Sequence, residues 1–203
     1  MINIMDTNNT NAYLEIILGS MYAGKTSRIV EIYKQCIFCN IAVSVINHSI
    51  DNRYDEELLS THDKVKIPCI KTEKLLDLSI ETINTNAPDT RINDKLQILN
   101  SNVVLINEAQ FFCDLQPFVE QLLNHNKKIY VCGLDGDFER KKFGTIIDLI
   151  PICDKVVKLT SLCCICKDGT PGIFSKRLSS EQQQTVVGSD NYIPVCRKCY
   201  MTK

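Results

Sequence analysis

The chain has 203 residues, 44% of them hydrophobic, and 23 Lys and Arg against 24 Asp and Glu give a formal charge of −1. This length suits one ordinary domain, or one domain with a small appendage, and the apolar share is enough for a core. A near-neutral charge without a Lys/Arg-rich run disfavours duplex nucleic acid as the main partner. No apolar stretch approaches a membrane span, and the N-terminus lacks the charged-then-apolar layout of a signal peptide. The expectation is a soluble, intracellular, cytoplasmic protein with no membrane partner. In that setting eleven cysteines, an odd number, argue for metal binding or buried thiols over disulfides.

Residues 1–12 are rich in Asn and Thr and read as a mobile tail. The apolar run 14–18, interrupted only by Glu15, predicts a strand. It leads into Gly19-Ser20-Met21-Tyr22-Ala23-Gly24-Lys25-Thr26, the G-x-x-x-x-G-K-T pattern of a phosphate-binding loop. Ile29, Val30, Ile32, Tyr33, Cys36 and Ile37 follow at helical spacing. A strand that breaks into a Gly-rich turn and then a helix aims backbone N–H groups, and the positive helix end, at one point that suits a phosphate. Lys25 would reach the β- and γ-phosphates and the Thr26 hydroxyl would ligate magnesium, so a nucleoside triphosphate is expected here.

Residues 41–46 predict a second buried strand. Asp51-Asn52-Arg53-Tyr54 and Thr61-His62-Asp63 read as polar loops, and Asp51 with Arg53, taken alone, reads as an ordinary surface pair. Residues 65–70 suggest a short strand broken at Pro68. Residues 73–83, with Leu75, Leu76, Leu78 and Ile80, suggest a helix, and 84–91 a polar loop. The apolar run 103–106 ends in Asn107-Glu108. A helix over 118–123 has Pro117 near its start, and a strand over 129–132 ends at Gly133. Residues 146–150 and 155–159 close the region. Strands read as continuous apolar runs alternating with helices predict an α/β fold: a P-loop domain over residues 13–161 whose parallel sheet is flanked by helices on both faces.

From residue 162 to 203 the character changes to a small zinc-binding domain. Cys163-x-x-Cys166 and Cys196-x-x-Cys199 have the spacing of two knuckles that converge four thiolates on one tetrahedral zinc. With all four positions filled by protein, such a site is closed and structural. A redox pair is the alternative, and two pairs outside a thioredoxin-like context weigh against it. Cys164 reads as a bystander, and Cys36-x-x-Cys39, with no second pair left over, as free thiols.

A carboxylate at the end of an apolar strand in a P-loop protein approaches magnesium and the reacting phosphate. Glu108 therefore has two readings: a general base for an attacking hydroxyl, or a solvated strand-end glutamate.

Taken in order, Gly19 to Thr26, Asp51-x-Arg53-Tyr54, Thr61-His62-Asp63, Asn107-Glu108-Ala109-Gln110-Phe111-Phe112, Gly133-Leu134-Asp135-Gly136-Asp137-Phe138, Lys176-Arg177-Leu178, Tyr192 and the paired C-x-x-C closely resemble the zinc-containing (type II) thymidine kinases. The resemblance runs from about residue 14 to residue 200. It implies transfer of the γ-phosphate of ATP to the 5′-hydroxyl of thymidine, giving thymidine monophosphate for DNA synthesis by nucleotide salvage. ATP and Mg2+ would lie on Gly19, Ser20, Met21, Tyr22, Ala23, Gly24, Lys25 and Thr26, with Asp51, Asn52, Arg53, Asn107, Glu108, Ala109 and Gln110 around them. Glu108 matches the family's general base, Lys25 and Arg53 its charge-stabilising groups, and Asp51 the holder of a magnesium-bound water. Phe111, Leu134 and Phe138 match walls of the base pocket, although core packing is the plainer alternative for Phe138. Gln184, Thr185, Val186, Val187 and Gly188 match the backbone of a lasso loop that bonds thymine, and Tyr192 the lasso tyrosine. The zinc on Cys163, Cys166, Cys196 and Cys199 would tether that lasso without touching substrate.

The resemblance further implies a homo-oligomer, a tetramer or a dimer, with an end-product nucleotide as a candidate inhibitor. The sequence departs from the family at Asn107, where Asp is usual, which weakens the second-sphere hold on magnesium. Residues 167–173 and 79–100 look lengthened, the latter without an obvious chemical residue. Two other functions remain as alternatives: a different nucleoside or nucleotide kinase, and a zinc-ribbon nucleic-acid-binding module powered by a P-loop ATPase. The charge balance and the absence of an aromatic-basic pattern count against the second.

Overall fold

Alternate residues of the first strand serve opposite faces of the sheet. In β1 (Tyr13–Gly19), Leu14, Ile16 and Leu18 enter one buried cluster and Ile17 a second one on the other side. A sheet buried on both faces has little room for polar alternation, which is why its central strands read as largely apolar runs, with Glu15 and Ser44 as buried exceptions. The computed structural model describes residues 11–50, 58–60, 65–83, 88–186 and 191–202. The expectations for Asp51-Asn52-Arg53-Tyr54, Thr61-His62-Asp63, Val187, Gly188, residues 84–87 and residues 1–10 fall outside these.

The other main-sheet strands are β2 (Val43–His48), β5 (Ile70–Thr72), β6 (Val103–Asn107), β7 (Lys128–Gly133) and β8 (Lys155–Leu159). Among the described residues, six strands form the sheet in the order β5-β2-β6-β7-β1-β8, and every neighbouring pair is parallel. The expected α/β fold is therefore present. Helix α1 (Lys25–Phe38) buries Ile29, Val30, Ile32 and Cys36 on one face with Val45, Leu105 and Cys132. The other face is covered by α3 (Leu115–Asn124) and α2 (Ile92–Asn100), which insert Phe118, Leu122 and Ile98. Each such side chain contributes about 1.5–3 kcal/mol by leaving water.

Three local expectations change. Residues 73–83 form two 3-10 segments, Leu75–Leu78 and Ile80–Thr82, in place of one helix. Ser79 between them is extended at φ −57°, ψ 124°, and its hydroxyl accepts from Gln121 Nε2 at 2.7 Å, while Asp114 Oδ2 takes the Leu76 N–H at 2.9 Å. Bonds to a neighbouring helix thus outcompete continuation of a local one. Residues 65–70 split at Pro68: β4 (Lys66–Pro68) pairs with β3 (Leu58–Ser60), whereas β5 joins the main sheet. The lengthened segment contains α2, which the sequence reading omitted. Its half-polar sequence is held by buried Lys95, whose Nζ donates to Asp89 Oδ2 at 2.7 Å and Thr82 Oγ1 at 3.1 Å. Residues Ile146–Ile152 form a 3-10 helix.

The C-terminal part is built from short pieces: β9 (Ser161–Leu162), β10 (Pro171–Gly172), β11 (Phe174–Arg177), β12 (Tyr192–Val195) and α4 (Arg197–Met201). They surround a small cluster of Cys163, Val195, Cys196 and Cys199, with Phe174, Ile193 and Tyr200 packed against it. No helix among the described residues is long and apolar enough to cross a membrane.

Candidate functional site

Parallel strands carry their C-terminal loops to one edge, and binding sites of open α/β sheets form there. β1 ends at Gly19, where a Cβ would meet the Leu159 carbonyl oxygen of β8 at 2.5 Å, so only glycine permits that approach. The loop then turns into α1 after Gly24. Lys25 Nζ donates to the Ser20 carbonyl at 2.8 Å. Two bonds fasten the loop to the C-terminal part: Ser20 Oγ donates to the Gly172 carbonyl at 2.9 Å, and Met21 N–H to Ser175 Oγ at 2.9 Å.

β6 delivers Glu108. At φ 53° this residue is left-handed, a conformation that costs a non-glycine residue on the order of 1–3 kcal/mol and occurs where surrounding structure imposes it. The turn swings the chain out of the sheet into the 3-10 segment Ala109–Phe111. Gln110 braces it: its Nε2 donates to Glu108 Oε2 at 2.7 Å, and its Oε1 accepts the Leu134 N–H at 3.0 Å. One buried amide thereby fixes the strand-end carboxylate relative to the end of β7. Gly144 closes over Gln110, where a Cβ would lie 2.0 Å from its carbonyl oxygen. Phe111 rests on His48, centroids 5.6 Å apart. His48 Nδ1 accepts the Ile50 N–H at 3.0 Å. Burial lowers the His48 pKa, opposed by the Glu73, Glu108 and Asp114 carboxylates, so the ring packs as a neutral imidazole.

Asn107 points elsewhere. It is 2% exposed, sits opposite Asn47 in the β2–β6 register and donates through Nδ2 to Asn47 Oδ1 at 3.0 Å. Asn107→Asp would bury a carboxylate there, and even with the Asn47 amide turned over its ionisation is opposed by burial. We expect a stability loss of about 1–3 kcal/mol. The new carboxyl's folded pKa lies above its unfolded value of about 3.9. The cost is accordingly absent below that pH and grows as pH rises through the folded pKa. Urea midpoints of variant and wild type at pH 5 and pH 8 measure it; equal midpoints at both would contradict it.

The segment 181–186 is organised by Arg177, 9% exposed, whose guanidinium lies 3.6 Å from the Phe138 ring centroid. It donates to the carbonyls of Glu181, Gln183 and Gln184 at 3.0, 2.5 and 2.9 Å. It also donates to Tyr192 Oη at 3.2 and 2.5 Å, and that hydroxyl donates to the Val186 carbonyl at 3.3 Å. Gln184 Nε2 donates to Asp137 Oδ2 at 2.8 Å.

These parts enclose one cleft of about 1080 Å³, its solvent-open mouth included. It brings together Met21, Tyr22, Ala23, Gly24, Lys25, Thr26, Glu108, Gln110, Phe111, Leu134, Phe138, Gln184, Thr185, Val186 and Tyr192 from the expected set. Gly19, Ser20, Asn107 and Ala109 are not among the residues that line it. Sequence reasoning missed Ser27, Ile50, Gly136, Asp137, Phe143 and Ser175, which also line it. Asp137 stood inside a quoted motif and Arg177 in another, and a charged residue within such a motif was the available signal. Ser175 offered none.

The Sγ atoms of Cys163, Cys166, Cys196 and Cys199 lie within 4.8 Å of one another, with Cys166 at 3.8 Å from Cys196 and 3.4 Å from Cys199. Zn–S bonds of ~2.3 Å in a tetrahedron place sulfurs roughly 3.8 Å apart. The backbone N–H groups of Cys166 and Cys199 donate to the sulfurs of Cys163 and Cys196, each at 3.5 Å. The Cys166 N–H bond favours thiolate at Cys163 and brings its pKa down to about 6. The donor set fits a structural zinc. Cys164 is exposed, and Cys36 and Cys39 are free thiols.

A phosphate loop facing a braced strand-end carboxylate, across a cleft closed by a second polypeptide segment, defines a P-loop phosphotransferase site. The family model described as thymidine kinase matches residues 12–200. The chain is 36% identical over 194 residues to the thymidine kinase of Yaba monkey tumor virus, covering 95% of this chain and 97% of that protein. It is 39% identical over 194 residues to that of Choristoneura fumiferana entomopoxvirus, covering 92% and 95%, and 36% identical over 191 residues to that of Variola virus, covering 93% and 97%. The chain belongs to the thymidine kinase family and is a kinase.

Proposed function

We propose that the chain transfers the γ-phosphoryl group of ATP to the 5′-hydroxyl of thymidine. The observation that carries this reading is the cleft that joins the P-loop, Glu108 and the 184–186 segment with Tyr192. Phosphoryl transfer requires in-line positioning and charge stabilisation more than covalent chemistry, and the cleft supplies both. The N–H groups of the 19–26 loop and the α1 N-terminus cradle the donor phosphates, and Lys25 leaves its contact with the Ser20 carbonyl to pair with them. Thr26 would hold magnesium, which would neutralise phosphate charge, and Asp51 a water on it; Arg53 joins Lys25 in stabilising the transferring group. Asn107 serves by fixing the strand end through Asn47.

Glu108 accepts the proton of the nucleoside hydroxyl, and the bond from Gln110 Nε2 to its Oε2 orients the carboxylate. Phe111, Leu134 and Phe138 wall the base, and the backbone of residues 184–188 reads its polar edge. One structural zinc on the four cysteines holds the segments that carry this lasso. Residues 13–161 act as the nucleotide-binding domain and 162–203 as the zinc and lasso domain. The enzyme works in the cytoplasm as a homo-oligomer, with an end-product nucleotide as inhibitor. ATP-dependent ADP release measured over a panel of nucleosides tests the reading: release with thymidine in preference to deoxycytidine and purine nucleosides is expected, and none with thymidine would refute it.

A further inference from the structure

We propose that Arg177 is a specificity-determining positioning residue: it latches the lasso over Phe138 and so sets the aperture that admits the nucleoside base. This rests on the thymidine kinase reading above for its choice of substrate. A nearly buried guanidinium is costly unless its donors are satisfied, and here they are spent on a phenol and on three peptide carbonyls of one segment. Three of those bonds reach Glu181, Gln183 and Gln184, up to and including the first residue of the segment that lines the cleft. The guanidinium plane also lies on Phe138, a wall of the same cleft. Arg177 therefore ties the lasso and the pocket wall to each other.

The base of this latch is fixed. Ser175 and Arg177 share the inward face of β11, both buried, as residues two apart in a strand do. Ser175 Oγ accepts the Met21 N–H of the phosphate loop. The strand thus holds the lasso latch about 7 Å, two residues of rise, from the phosphate anchor. Tyr192, paired with Arg177 across the β11–β12 ladder, carries the latch on to the Val186 carbonyl. Lysine cannot replace this arrangement, because a point-charge ammonium lacks the planar fork that reaches several acceptors and stacks on a ring.

The experiment compares wild type with Arg177→Lys, Arg177→Met and Tyr192→Phe, each checked for zinc content and urea midpoint. In Arg177→Lys we expect the thymidine KM to rise about tenfold to a hundredfold, as for loss of one or more charge-assisted bonds, with the ATP KM within about threefold. Discrimination between thymidine and deoxycytidine in kcat/KM falls with it. Tyr192→Phe moves both quantities in the same direction by less. Hydrogen exchange of residues 181–186 accelerates in the variants while that of β1 is unchanged, and this readout stands whether or not the wild type phosphorylates thymidine. A zinc-loaded Arg177→Lys protein with unchanged exchange at 181–186 overturns the proposal. So does one in which the thymidine and ATP KM values rise by similar factors while kcat falls, which would mean general destabilisation. Should Arg177→Met fail to fold, the Lys and Phe variants decide.

Discussion

Glu108→Gln is expected to lower kcat by about 10²-fold or more while leaving nucleotide affinity nearly intact, because a positioned base contributes at least that much and acts in the transition state. The substitution is nearly isosteric, so the left-handed turn at φ 53° and the 3-10 segment behind it need not move. The amide oxygen of a glutamine can still accept from Gln110 Nε2, which keeps the brace to Leu134. What disappears is the capacity to take a proton. Comparison of kcat with the dissociation constant of a non-hydrolysable ATP analogue separates the two effects. Activity within about threefold of wild type would reduce Glu108 to a solvated strand-end residue, and equal losses in rate and nucleotide affinity would make it part of the nucleotide site.

The main sheet was legible because a strand buried on both faces must be largely apolar, and residues 14–18, 103–106 and 129–132 show that directly. The phosphate loop and the cysteine pairs were legible because their spacing is itself the geometry. Less visible was whatever depends on a partner distant in sequence. The break at Ser79 comes from Gln121, and α2 depends on a buried Lys95 satisfied by Asp89 and Thr82. The resemblance put Asn107 near magnesium, where the family usually has Asp, yet its amide meets Asn47 across the β2–β6 pair, a partner sixty residues away that no local pattern shows. Nothing in the sequence marked Ser175, and Arg177 entered only as part of the Lys176-Arg177-Leu178 motif. Only the folded chain shows one bonded to the phosphate loop and the other to the lasso.

Removing zinc is expected to abolish thymidine binding while the main sheet stays folded. The two hydrophobic clusters of the sheet contain no cysteine of the metal set, so their packing does not depend on it. The C-terminal part has no comparable core: its cluster is small, and its sheets among the described residues are the two-stranded pairs β9–β10 and β11–β12. Two-stranded ribbons of two to four residues are at best marginal in water, and a small module of this kind needs a staple. Structural zinc supplies roughly 10–16 kcal/mol in isolated finger peptides, far more than the remaining apolar contacts can. Without it β11 and β12 separate, and Arg177 and Tyr192 lose their register. The 181–186 segment then loses its anchors, and thymidine affinity falls about 10²-fold or more, the scale of losing several bonds of ~1.5 kcal/mol each. The phosphate loop suffers less, since Gly172 and Ser175 hold only Ser20 and Met21 while α1 and β1 set the rest, so ATP-analogue affinity should drop by a few-fold at most. Elemental analysis of protein purified without chelator should find one zinc per chain. Calorimetry with each ligand before and after chelation, and on Cys196→Ser, reads the asymmetry. Absence of zinc would remove the premise, and intact thymidine affinity in Cys196→Ser would show that the lasso stands without its metal.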